Sequence, residues 1–293
     1  MHHSNALLKE IHQSFQHAAH SQPAYKEMLP FFENLFEMQE AAVDDAHPDV
    51  PGQATAMSKL RKRTTTPILE RRKISIDMPA AQRLFKVLCE AAQTASPKLA
   101  HAASVLSACL QSRQDIIKRG FECIGSSDQA ALQTLSEDLG IDKDILIFFL
   151  YHSIWPSVAR HVQSFSNEQL VRMEWQEGFC PICGSTPNLA YLADNGKRFL
   201  VCGFCRYQWA FNRIKCPYCA NEHAETMGYF FNEEEKAYRV HFCDSCHQYI
   251  KTVDTRLLAR DFYPPLEDLM TIHLDLQAEQ RGYLRSGDAL PGG

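Results

Sequence analysis

The apolar positions of this chain change their period part-way along. Across residues 25–38, Tyr25, Met28, Leu29, Phe32, Leu35 and Phe36 recur at i, i+3 and i+4, the stripe of a helix with one buried face. Residues 80–95 place Leu84, Phe85 and Leu88 on one face in the same way. Residues 98–124 and 144–162 are longer helical candidates, the second broken or bent near Pro156. Residues 46–56, with Pro48, Pro51 and Gly52, read as a loop. After residue 175 the helical period gives way to short apolar runs around turns. Residues 184–201 contain Asn195-Gly196, a two-residue hairpin signal. Apolar runs 227–231 and 237–242 flank the polar tip 232–236, a second hairpin, and residues 206–215 between them read as a strand and connector. Residues 255–283 return to helix, with Pro264 and Pro265 at its start. There Leu266, Leu269, Met270, Ile272, His273 and Leu276 form the apolar face, which leaves Asp268, Asp275 and Glu279 on the wetter side. Residues 286–293 read as a flexible tail.

Both hairpins are bracketed by cysteine pairs: Cys180/Cys183, Cys202/Cys205, Cys216/Cys219 and Cys243/Cys246. A Cys-x-x-Cys turn puts two sulfurs on one side of a metal ion. Two such turns facing each other make the tetrahedral four-thiolate site that suits zinc or rubredoxin-type iron. Four pairs therefore imply two metal ions per chain. The halves repeat: Cys180-Pro-Ile-Cys183 matches Cys216-Pro-Tyr-Cys219, and Arg198-Phe-Leu-Val-Cys202 matches Arg239-Val-His-Phe-Cys243. The assignment this favours is one site from Cys180, Cys183, Cys202 and Cys205 and another from Cys216, Cys219, Cys243 and Cys246, with an interleaved pairing as the alternative.

The remaining sulfurs and imidazoles read more plainly. Cys89, Cys109 and Cys123 lie in helical patterns and are expected to be small buried hydrophobes. His223, His241 and His247 are not needed once each site has four thiolates, and are expected to be partly buried polar residues. A disulfide framework suits a secreted chain, but no basic-plus-apolar signal segment opens the sequence, so a cytoplasmic location is expected. A thioredoxin-like dithiol opens a helix and does not bracket hairpins.

At 293 residues and 45% hydrophobic, the chain is long enough for more than one domain. The longest apolar run, 145–151, is too short to span a bilayer. A net charge of −5 argues against a general nucleic-acid binder, and residues 175–255 hold 8 Lys/Arg against 9 Asp/Glu. Residues 59–73 are the exception, with seven basic residues and one Glu; they read as a solvated loop, or as a contact for an acidic partner. No nucleophile–base constellation is visible. Tyr191, Tyr207, Trp209, Tyr229, Phe230 and Tyr238 are candidates for a docking surface, about half of them expected to pack the small module cores instead.

The fold class expected is α+β. A helical domain (1–170) precedes two tandem rubredoxin- or zinc-ribbon-like hairpin modules (171–213 and 214–254), a C-terminal helical segment (255–285) and the tail (286–293).

The run Trp175-x-x-Gly178-x-Cys180-Pro-x-Cys183-Gly184-Ser185-x-Pro187, the second set of knuckles, and Asp268-Leu-x-Thr271-x-x-Leu274-Asp275 with Gly282-Tyr283 resemble the FdhE family of formate dehydrogenase accessory proteins. The resemblance covers about residues 170–285. Ala220 stands where a rubredoxin-type knuckle is expected to have glycine, which tolerates positive φ more easily. The resemblance implies a cytoplasmic biogenesis factor, not an enzyme, that contacts the catalytic subunit of respiratory formate dehydrogenase before export. It implies iron at the sites, with zinc the close alternative, no nucleic-acid partner and no membrane span; homodimerisation is left open. A rubredoxin-like electron carrier and a nucleic-acid-binding zinc ribbon are the alternatives that the cysteines alone allow.

Overall fold

The computed structural model describes residues 2–50, 66–165 and 175–286. The expectations for residues 51–65, 166–174 and 287–293, which include four of the seven basic residues of the basic run and nearly all of the tail, lie outside the described residues. The fold is α+β: a mainly helical N-terminal region, then a β-sheet region with two four-cysteine clusters, then C-terminal helices. The chain divides into two compact units, Met1–Thr55 with Arg71–Ser166, and Ala56–Glu70 with Asn167–Gly293.

The first unit holds α1 (His2–Ser21), α2 (Leu29–Ala41), α3 (Met78–Ala92), α4 (Pro97–Ser112), α5 (Gln114–Ser126), α6 (Gln129–Leu139) and α7 (Lys143–Gln163). Four of these start on a side chain that accepts a backbone N–H: Asp77 from Ala80, Ser96 from Leu99, Asp128 from Ala131, and Asp142 from Asp144 and Ile145. The 98–124 candidate is two helices, because Arg113 leaves the helical region at φ −142°, ψ 55°. Helix α7 is apolar all round and buried, with Phe149, Leu150, Ile154 and Val158 fully enclosed. It runs unbroken through Pro156. Proline has no N–H for the carbonyl four residues back, that of His152, and Gln39 of α2 supplies one instead, Nε2 to O at 2.8 Å. Gln39 is fully buried there.

The second unit is built on one six-stranded sheet: β1 (Pro187–Leu192), β2 (Arg198–Cys202), β3 (Gln208–Phe211), β4 (Met227–Phe230), β5 (Tyr238–Cys243) and β6 (Gln248–Asp254). The order is β3-β2-β1-β6-β5-β4. Each half is an antiparallel three-stranded meander, and the halves join through the parallel pair β1–β6, Leu189 opposite Lys251 and Leu192 opposite Asp254. The two modules thus share one sheet.

Helices α8 (Pro264–Leu269) and α9 (Ile272–Gln280) cover this sheet. They are shorter than the 255–283 helix expected, with a break at Met270 and Thr271. Pro264 and Pro265 do start α8, and Leu266, Leu269, Met270 and Leu274 are buried. The wetter side is a correction. Asp268 and Asp275 are buried, whereas Ile272 and Leu276 are exposed. Both carboxylates meet the buried Lys251 Nζ at 2.7 Å, Arg285 also pairs with Asp268, and the Tyr249 hydroxyl donates to Asp275. Such a buried network is held by mutual pairing, not by solvent.

Candidate metal centres

Each Cys-x-x-Cys pair sits on the same tight turn. The carbonyl of the first cysteine accepts the N–H of the residue after the second: Gly184 to Cys180, Arg206 to Cys202, Ala220 to Cys216 and His247 to Cys243, at 2.8–3.1 Å. All four of those residues have positive φ, 79° at Gly184 and 55–59° at Arg206, Ala220 and His247. Three knuckles therefore hold a side chain in the left-handed region, which costs roughly 1–2 kcal/mol each. Gly184 has a second reason to be glycine. A Cβ there would lie 2.8 Å from the Pro67 ring, because residues 66–70 lie over this knuckle. The N–H groups of Ile68 and Leu69 bond the carbonyls of Pro181 and Ile182 at 2.9 and 2.8 Å, and both side chains are buried. The apolar stretch inside the basic run is thus packed, while Arg72 and Lys73 after it are exposed.

The turns converge in two groups, Cys180, Cys183, Cys202 and Cys205, and Cys216, Cys219, Cys243 and Cys246, with the sulfurs of each group within 4.8 Å of one another. In the first group the closest Sγ–Sγ distances are 3.4–3.6 Å, and in the second 3.7 Å. A tetrahedron of metal–sulfur bonds of about 2.3 Å has edges of about 3.8 Å, so both groups could hold a metal ion. The backbone supports the same charge state. Ile182 N–H points at the Cys180 sulfur, and Phe204 and Cys205 N–H at that of Cys202, each at 3.4 Å, as donors to a thiolate would.

Burial pushes the Cys180 and Cys205 thiols well above the usual thiol range. Burial acts on Cys183 too, but hydrogen bonds with the other three sulfurs and with the Ser185 hydroxyl hold it well below that range. Four enclosed sulfurs cannot all ionise without a cation among them. The second group is wetter: Cys219 is exposed and Cys246 half-buried. At Cys243 burial is outweighed by the Cys246 amide and the Asn221 side chain, which bring it down to about 7.

No histidine joins either group among the described residues. His223 and His247 are exposed, and only His241 is half-buried. Cys89, Cys109 and Cys123 are buried, and burial lifts all three thiols, Cys89 to about 12. Of the six candidate docking aromatics, Trp209 and Tyr238 are buried, Tyr191, Tyr207 and Phe230 half-buried, and Tyr229 exposed. Gly178 brings the first knuckle against the third. Any Cβ there would overlap the Pro217 carbonyl oxygen.

Residues 179–213 match the model of the FdhE central domain and residues 214–290 that of the FdhE C-terminal domain. Over these residues the chain is similar to the FdhE family. It is 33% identical over 152 residues to the FdhE homolog of Aquifex aeolicus, covering 50% of this chain and 52% of that protein. It is 30% identical over 145 residues to protein FdhE of Escherichia coli K12, covering 45% of each. The chain thus spans about half the length of the curated relatives it matches. The crystal structure of the FdhE protein from Pseudomonas aeruginosa superimposes with a TM-score of 0.71 over 98% of this chain and 97% of that one, at 21% identity. That likeness extends the FdhE fold to the helical N-terminal region.

What sequence reasoning missed lies beside the second group. A cavity of about 270 Å³ is lined by Arg198, Arg213, Lys215 and Arg239 together with Cys216 and Cys243. The repeat had a signal for it, since Arg198 and Arg239 occupy equivalent places four residues before Cys202 and Cys243.

Proposed function

We propose that the chain is an accessory factor for maturation of a respiratory formate dehydrogenase, binding its catalytic subunit in the cytoplasm before export. The observation that carries this is the match of residues 179–290 to the FdhE central and C-terminal domains. On this reading the eight cysteines hold two metal ions, iron in preference to zinc, in modules spanning 171–213 and 214–254. A closed four-thiolate shell has no open coordination position, which favours a docking or redox-responsive role over catalysis. Among the described residues no helix is long and apolar enough to cross a membrane.

Deleting the protein should abolish respiratory formate-dependent dye reduction while the catalytic subunit is still made. Cys243→Ser should fail to restore it, and the wild-type chain should co-purify with that subunit. A deletion strain that oxidises formate normally through its respiratory enzyme would overturn the proposal. The exposure of Cys219 favours one second reading, electron transfer at the second centre. Protein that purifies red with iron and is reversibly bleached by a reductant supports that reading. Colourless, zinc-loaded protein from native cells removes it.

A further inference from the structure

The cavity beside the second cysteine group is more cationic than its surroundings require. No Asp or Glu lines it among the described residues. Arg198 is 96% buried (4% exposed), donates Nη1 to the Lys215 carbonyl at 3.0 Å, and among the described residues leaves its buried Nε without a partner. Among the described residues neither Arg198 nor Arg213 has a carboxylate partner. Arg239 reaches Asp254 at 3.3 Å, but that carboxylate is also held by Arg256 at 2.7 Å, and Lys215 has only the exposed Glu222 at 3.5 Å. A buried guanidinium with an idle donor is costly unless something accepts from it. Apolar side chains line it too, those of Met227 and Ile250, with the exposed Tyr229 ring beneath the Arg239 guanidinium.

We propose that this cavity binds a small phosphate ester whose body is apolar or aromatic. Guanidinium groups match phosphate oxygens by paired N–H donors, and several of them together favour a multiply charged group over a single carboxylate. The apolar side chains receive the body of the ligand, as small-molecule sites combine a few charged groups with apolar lining. The competing use of the cations is to offset the negative charge of four thiolates around a divalent ion, since Cys216 and Cys243 share the cavity. The hydrogen bonds argue against that as their whole purpose, because no guanidinium donates to a sulfur among the described residues.

Calorimetric titration of the full-length, zinc-loaded protein with phenyl phosphate, inorganic phosphate and benzoate tests this. Phenyl phosphate should bind one-to-one, at least about tenfold tighter than either of the others. Arg198 is buried, so its replacement risks unfolding; Arg213 is exposed and is the residue to change. Arg213→Ala should weaken phenyl phosphate by about tenfold, and Arg239→Met likewise, with zinc content and circular dichroism unchanged. Absence of saturable binding overturns the proposal, as does equal affinity for benzoate. So do variants that lose zinc yet keep their affinity for phenyl phosphate, the result expected if the cations serve only the thiolate centre.

Discussion

In the first cysteine group all four residues are buried and residues 66–70 lie over the Cys180–Cys183 knuckle; in the second, Cys219 is exposed and Cys246 half-buried. The knuckles themselves are alike, with the same carbonyl-to-amide bond and the same left-handed residue. What separates the two centres is the cover each receives from elsewhere in the chain. Identical ligand spacing can thus give one enclosed site, suited to holding the fold, and one that solvent or a partner can reach. The position of β1 adds to this. It is the inner strand of its half and pairs with β6, whereas its repeat equivalent β4 is an edge strand.

The largest effect should come from removing thiols. Replacing Cys180 and Cys183 by Ser should release one metal equivalent and unravel the first half of the sheet, since metal binding supplies on the order of 10 kcal/mol in small zinc-finger peptides. The helical unit should keep its circular dichroism, because its core is separate. Replacing Cys216 and Cys219 should also cost one equivalent while leaving the first centre loaded. Metal analysis with limited proteolysis checks both, and a Cys180/Cys183 variant that stays intact and fully loaded would sink the grouping.

Next comes the joint between the halves. Asp268 takes Asn188 Nδ2 of β1 at 3.5 Å and Lys251 of β6 at 2.7 Å. Asp268→Asn should destabilise the sheet unit by about 3 kcal/mol in urea denaturation without metal loss. Burial raises this carboxyl, but Arg285 and Lys251 outweigh it and hold it below its usual value. Its contribution is therefore complete above the unfolded carboxylate value of about 3.9 and is lost as pH falls through the lower folded value. The gap between wild type and variant should close in acid, and a gap that widens there would contradict the network.

The cover over the first knuckle can be tested at one atom. Gly184→Ala should cost about 2 kcal/mol, from the left-handed backbone and the Pro67 contact together, whereas Ala220→Gly should gain only about 0.5 kcal/mol. Equal and opposite shifts in melting midpoint would mean that residues 66–70 contribute nothing at Gly184. In kinetics, a chelator should strip the second centre about tenfold faster than the first, equivalent to about 1.4 kcal/mol in barrier. Stopped-flow release in two phases checks this. Assignment of the fast phase comes from the Cys216/Cys219 variant, which should lack it.

Much of this was legible because it depends on local chemistry. The Cys-x-x-Cys turns, the Asn195-Gly196 hairpin and the stripe over Leu29, Leu35 and Phe36 each need only neighbouring residues. Helices α1 and α6 were missed although signals existed: Ile11, Phe15 and Ala18 share a helical face, and α6 lies between the Asp128 cap and Gly140 at φ 65°. Pro156 misled because its cost is met by Gln39, more than a hundred residues earlier, and no local window contains both.

By itself the sequence determined the eight thiols and the change from helical to hairpin period and favoured one grouping of the thiols by loop length, all consequences of spacing along the chain. Only the tertiary structure decided that Asp268 and Asp275 face inward, because Lys251 and Arg285 arrive there from other elements. It alone decided that the two halves share a sheet through β1 and β6. It also decided that one centre is covered and the other open. Burial is a property of what else packs against a residue, and residues 66–70 reach the first knuckle from more than a hundred positions away.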